Sequence, residues 1–161
     1  MKTFHRCLEC GQPLSRGVHE FSNRLYGYSL CMKDQYLIVE SGASAQVVDL
    51  YLALKSAHFP LVLEYFDGHK HIDIALPGKL YIEIYRPDLQ VQGQVMHNLI
   101  RSVDTLEKKI PTIMISNVML ENPVTFARLV TELSKACRVV LKKSREFSVS
   151  CAPPFTAAQL Q

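Results

Sequence analysis

The chain of 161 residues carries 18 Lys plus Arg against 15 Asp plus Glu, five Cys and no Trp, and 48% of it is hydrophobic. That composition fits one ordinary globular domain with a small appendage. It excludes a disordered tail and a collagen-like rod, and no apolar run approaches the ~20 residues of a membrane-spanning helix. The formal charge of +3 permits nucleic-acid binding without arguing for it, and Met1 to Cys10 lacks the apolar stretch of a secretory leader, so a reducing cytoplasm is the expected compartment.

Three of the five cysteines fall in the first 31 residues, as Cys7-x-x-Cys10 followed by Cys31, while Cys137 and Cys151 lie far downstream. In a reducing compartment this grouping reads as a metal site before a disulfide framework. Two thiolates separated by two residues can face one tetrahedral ion, and Gly11 allows the tight turn of such a knuckle. The second half-site is incomplete: Cys31 is present, but the position of a following x-x-Cys holds Asp34. Carboxylate is a less common zinc ligand, and His5 or His19 could take the fourth place instead. The reading is a zinc knuckle over residues 1–40; the alternative is a set of buried thiols that no longer loads metal.

From Ser44 to His58 apolar residues recur at helical spacing behind a serine N-cap. Next come Leu61 to Phe66, a turn at Asp67-Gly68, and His71 to Ala75, the pattern of a hairpin. Pro77-Gly78 leads into a third strand, Leu80 to Tyr85, with Tyr81, Glu83 and Tyr85 on one face. A helix is predicted from about Gln92 to Lys108, a strand over 110–115, and a helix opened by Pro123 and running to about Val140. The residues from Phe147 to Gln161 read as an extended tail. The expected fold class is α/β, a mixed sheet flanked by helices in the order αβββαβα, with its core over residues 44–140.

Glu64, Asp73 and Glu83 sit on three successive strands, although carboxylates are depleted from strands and costly to bury. Adjacent strands lie about 4.8 Å apart, so acids at matching depth can converge on one divalent ion and serve phosphodiester hydrolysis. The alternative is a solvated sheet face whose acids are satisfied by Lys70, Lys79 and Arg86.

The stretch Leu63 to Ala75, followed by Lys79 to Ile84, resembles the core of the PD-(D/E)XK nuclease superfamily, in the branch near the very-short-patch repair endonucleases. The resemblance covers about residues 44–140. It implies a restriction-endonuclease-like fold, Mg²⁺ or Mn²⁺ as cofactor, DNA as partner, and Asp73 and Glu83 as the metal-binding acids, with Glu64 assisting. The pattern also wants Lys or Asp two residues after the glutamate, where Tyr85 stands with Arg86 following. A helical glutamate is replaced by Gln46, with Asp49 one turn on. The histidine expected after the third strand is absent, the nearest being His97. The implied function is a DNA-acting protein of nuclease ancestry with a weakened site; the alternative is a catalytically inactive module that binds nucleic acid or a protein partner.

His69 and His71 could join a metal site or be exposed hairpin residues. Toward the C-terminus bases outnumber acids. With Arg86 and Arg101, the bases Arg138, Lys142 and Lys143 are the candidate nucleic-acid contacts, although an ordinary solvated helix end accounts for them too.

Overall fold

The computed structural model describes residues 5–86 and 110–150. The N-terminal segment opens with a two-stranded ladder of β1 (His5–Arg6) and β2 (Pro13–Leu14). Two helices follow that hydrophobic periodicity does not announce. In α1 (Arg16–Tyr26) the Ser15 hydroxyl accepts from the Val18 amide at 3.4 Å, and Gly27, at φ 70°, closes the helix in the left-handed conformation. The following α2 (Met32–Glu40) starts at Cys31. The buried residues of these two helices are largely polar: Ser22 on α1, and Asp34 and Gln35 beside Ile38 on α2. Each is satisfied locally. Ser22 donates to the Tyr28 carbonyl at 2.7 Å and accepts from the Leu30 amide at 2.9 Å, and Gln35 donates to the Leu30 carbonyl at 3.0 Å.

Helix α3 (Ala45–Lys55), capped by Ser44 as expected, is the centre of the fold, with Val47, Val48 and every residue from Leu50 to Leu54 buried. Each fully buried leucine contributes about 1.5–3 kcal/mol relative to exposure. The sheet packs against this helix. Its strands β3 (Val62–Phe66), β4 (His71–Leu76) and β5 (Leu80–Tyr85) form an antiparallel meander, and β6 (Thr112–Ser116) adds in parallel to β5, giving the order β3-β4-β5-β6. At the first hairpin the Asp67 carboxylate accepts from the amides of His69 and Lys70, and Gly68 takes φ +97°. The parallel pair demands a crossover between Tyr85 and Thr112, where the sequence predicts a helix; that helix lies outside the described residues.

A short helix α4 (Val118–Glu121) leads into α5 (Pro123–Ser150). The latter runs past the predicted end near Val140, and through Ser150 it covers the start of what the sequence reads as an extended tail. The reason is that no Gly or Pro interrupts the chain between Pro123 and Pro153. The remainder of the tail, 151–161, lies outside the described residues.

One buried cluster joins Cys7, Leu30 and Ile38 to α3, to Ile74, Leu76, Leu80 and Ile82 of the sheet, and to Leu133 and Cys137 of α5. The N-terminal segment therefore shares the core of the rest, and the chain is a mixed α/β fold with a four-stranded mixed sheet and helices. Among the described residues no helix is long and apolar enough to cross a membrane.

Candidate functional site

Two groups of polar side chains stand out, one at the N-terminus and one on the sheet. In the first, the ligand atoms of Cys7, Cys10, Cys31 and Asp34 all lie within 4.8 Å of one another. The β1–β2 turn presents Cys7 and Cys10, with the Gly11 amide closing on the Cys7 carbonyl at 3.0 Å. The start of α2 presents the other two, Cys31 at the cap and Asp34 in the first turn. Asp34 Oδ2 accepts from Cys7 Sγ at 3.0 Å and from Cys31 Sγ at 3.1 Å, while the sulfurs of Cys10 and Cys31 are 3.9 Å apart. A tetrahedron of thiolates about 2.3 Å from a central ion has edges of about 3.8 Å, so this donor set fits one tetrahedral ion with little rearrangement. The described cysteines form no disulfide.

The four groups are electrostatically coupled. Burial pushes the Cys7 and Cys31 thiols up, and both are pushed further by bonding to the Asp34 carboxylate. Burial opposes the charge on Asp34, but hydrogen bonds from Cys7, Cys31 and Cys10 outweigh it and hold the carboxyl below its usual range. A cation in the cage would displace the thiol protons that now point at the carboxylate. The histidines weighed as fourth ligands are engaged elsewhere: His5 and His19 stack with centroids 3.4 Å apart, and His19 Nδ1 lies 2.8 Å from Ser29 Oγ.

Glu9, between the first two cysteines, ties this loop to the core. Its carboxylate accepts from Tyr51 Oη at 2.5 Å and pairs with Lys55 Nζ at 2.9 Å, and Lys55 also donates to the Leu61 carbonyl at 2.9 Å. Burial, and then the hydrogen bond to Glu9, push the Tyr51 phenol far up. These groups and Asp34 line a cavity of about 420 Å³ with apolar walls from Leu37, Ile38 and Leu61. Sequence spacing gives no signal for this contact, because its partners are some 42 residues apart.

The second group lies where the sheet ladder breaks. The β3–β4 register pairs Leu63 with Ile74 and next Tyr65 with Ile72, stepping over Glu64 and Asp73. Residues two apart on a strand share a face, yet Leu63 and Ile74 join the main core while Tyr65 and Ile72 join a second cluster with Ala75 and Tyr81. The hairpin thus changes face at Glu64 and Asp73, and Glu64 takes φ 48°, a left-handed conformation costing on the order of 1 kcal/mol or more outside glycine. Between β4 and β5 the ladder also stops at Ile74 and Ile82, and Asp73 Oδ2 accepts the Ile84 amide at 2.6 Å. Glu83, only 5% exposed, pairs with Lys70 Nζ at 2.7 Å. Burial raises the Glu64 carboxyl, and the charges of Asp73 and Glu83 raise it further, so the three acids share one neighbourhood.

Among the described residues the cysteine set is the one group of three or more metal-ligating side chains this closely drawn together, and the three sheet acids are not gathered to that degree. Gln46 and Asp49 line a different groove, where Gln46 lies 3.4 Å from Glu121 beside Tyr28 and Phe126, and none of the sheet acids lines it. His69 and His71 are exposed, His71 Nδ1 lying 3.3 Å from the Glu64 carbonyl. Arg86, Arg138, Lys142 and Lys143 are exposed; Arg101 and His97 lie outside the described residues. Lys70 is the participant that sequence reasoning reduced to a neutralising surface base. Comparison with models of known families, with curated proteins and with solved structures yields no match.

Proposed function

We propose that the chain is a DNA-acting domain of nuclease ancestry, organised at its N-terminus by a structural zinc ion, in which Asp73 and Glu83 with Glu64 assisting hold Mg²⁺ or Mn²⁺ for phosphodiester hydrolysis. Zinc is the ion that three thiolates and one carboxylate suit best, since it accepts sulfur and oxygen donors in a closed tetrahedron. The observation that carries the DNA-acting reading is that acids from three adjacent strands share one neighbourhood, where the β3–β4 register is interrupted and Glu64 takes a left-handed backbone. Packing offers no reason to put like charges in a half-buried place.

A divalent ion there would supply Lewis-acid activation of water and relief of phosphate charge. The residues' own part is to hold that ion and the charge around it. Lys70 pairs with Glu83 at 2.7 Å and offsets the charge of that buried carboxylate. The test is nicking of supercoiled plasmid in Mg²⁺ or Mn²⁺. Cleavage by the wild type that disappears in Asp73→Ala supports the reading, and a blank wild type indistinguishable from Asp73→Ala overturns hydrolysis.

One observation favours a second reading, a catalytically silent module that binds nucleic acid or a protein. Asp73 and Glu83 already accept hydrogen bonds, from Ile84 N and Lys70 Nζ, that serve the fold. DNA retardation that survives loss of both acids but not of Cys7 and Cys10 selects this reading.

A further inference from the structure

Between Arg128 and Lys143, α5 carries the bases Arg128, Lys135, Arg138, Lys142 and Lys143 and a single acid, Glu132. Their placement on the helix is more informative than their number. At 3.6 residues per turn, Arg128, Lys135, Arg138 and Lys142 fall within an arc of about 80°. All four are exposed, and Leu133 and Cys137 on the opposite side enter the core, so the bases form the solvent ridge of the helix. Little neutralises them. Lys135 pairs with Glu132 at 2.7 Å with both side chains more than half exposed, and Arg138 rests its guanidinium 6.0 Å over the Phe59 ring. Arg128 and Lys142 make no ion pair among the described residues.

We propose that this ridge is the surface on which duplex DNA is held, by its phosphates and without regard to sequence; the proposal rests on the DNA-acting reading. The fourteen residue steps of helix from Arg128 to Lys142 span about 21 Å, the axial rise of about six base pairs of duplex at 3.4 Å each. The residues interleaved on the ridge are Val124, Thr131 and Val139. It offers no amide for an adenine edge and no aromatic ring for an unpaired base, so its four long cations meet a duplex chiefly through the phosphates. Arg138, steadied on Phe59, presents a pre-oriented guanidinium in the middle of the row.

The experiment is fluorescence anisotropy of the full zinc-loaded chain with a labelled 20-base-pair duplex over a salt series, in Ca²⁺ and without chelator, so that hydrolysis plays no part and the zinc stays in place. Each phosphate contact contributes about 0.9 to the slope of log affinity against log salt. The triple variant Arg128→Gln, Lys135→Gln, Lys142→Gln should lower that slope by about 2 to 3 and weaken binding equally for unrelated duplex sequences, while Lys33→Gln, an exposed base on α2, leaves it unchanged. Wild-type binding with a triple-variant slope equal to wild type overturns the ridge and spares the DNA-acting reading. A wild type that fails to bind duplex, or that binds anionic phosphatidylserine vesicles in its place, overturns both.

Discussion

The cysteine cage and the sheet acids both collect groups that attract cations, yet they are built in opposite ways. In the cage, Asp34 is bonded by thiols whose protons an ion can displace, and every donor comes from a turn or a helix start. On the sheet, Asp73 and Glu83 are already bonded to Ile84 N and Lys70 Nζ, and Glu64 is held in a strained backbone beside them. The difference teaches that donors drawn this closely around one point can hold a metal ion as they stand, whereas acids with internal partners would first have to give those partners up.

The contrast can be broken most sharply at the cage. Removing metal with a strong chelator, or replacing Cys10 by Ser, should destabilise the whole domain by several kcal/mol, within the roughly 10 kcal/mol that zinc contributes to isolated modules. Because Cys7, Leu30 and Ile38 share the main core, the loss should register as a fall in the single melting transition, and chelator should leave Cys10→Ser unchanged. On the sheet, Glu83→Gln strips Lys70 of its buried partner and should cost about 3 kcal/mol in denaturant titration without altering bound zinc. At the link between the two regions, Tyr51→Phe deletes the hydrogen bond to Glu9 and should cost about 1.5 kcal/mol.

The smallest effect is a pH dependence. Glu64 has its folded carboxyl raised above the ordinary value of 4.5, so the folded state binds the proton more tightly than the unfolded chain. Its contribution is therefore present at acid pH and lost as pH rises through the folded value. Glu64→Gln should raise the melting temperature slightly at pH 7 and leave it unchanged at pH 4. Adding Mg²⁺ should narrow the difference at pH 7, because an ion relieves the repulsion that glutamine removes.

Local signals made the sheet legible. Alternation and the Asp67-Gly68 turn mark β3 and β4, and Pro77-Gly78 marks the start of β5. The Ser44 cap and apolar spacing mark α3. Hydrophobic periodicity misses α1 and α2 because their buried positions are, Ile38 apart, polar: Ser22 and Gln35, satisfied by the backbone around Tyr28 and Leu30, and Asp34, bonded by the Cys7 and Cys31 thiols. The cage was readable from Cys7-x-x-Cys10 and Cys31-x-x-Asp34, spacings that a turn and a helix start preserve in space. Lys70 was legible as a base neutralising the sheet acids, though not which acid it meets; Glu9 on Tyr51 and the change of face at Glu64 were not readable, since each depends on register between strands or on contacts between distant segments.

The cage is proposed to hold a resident ion that the sheet does not. Elemental analysis of purified protein, after gel filtration in metal-free buffer, tests this directly. The expected result is one equivalent of zinc per chain in the wild type, none in Cys10→Ser, and no retained Mg²⁺ or Mn²⁺ in either. Well under one equivalent of zinc in the wild type would contradict it.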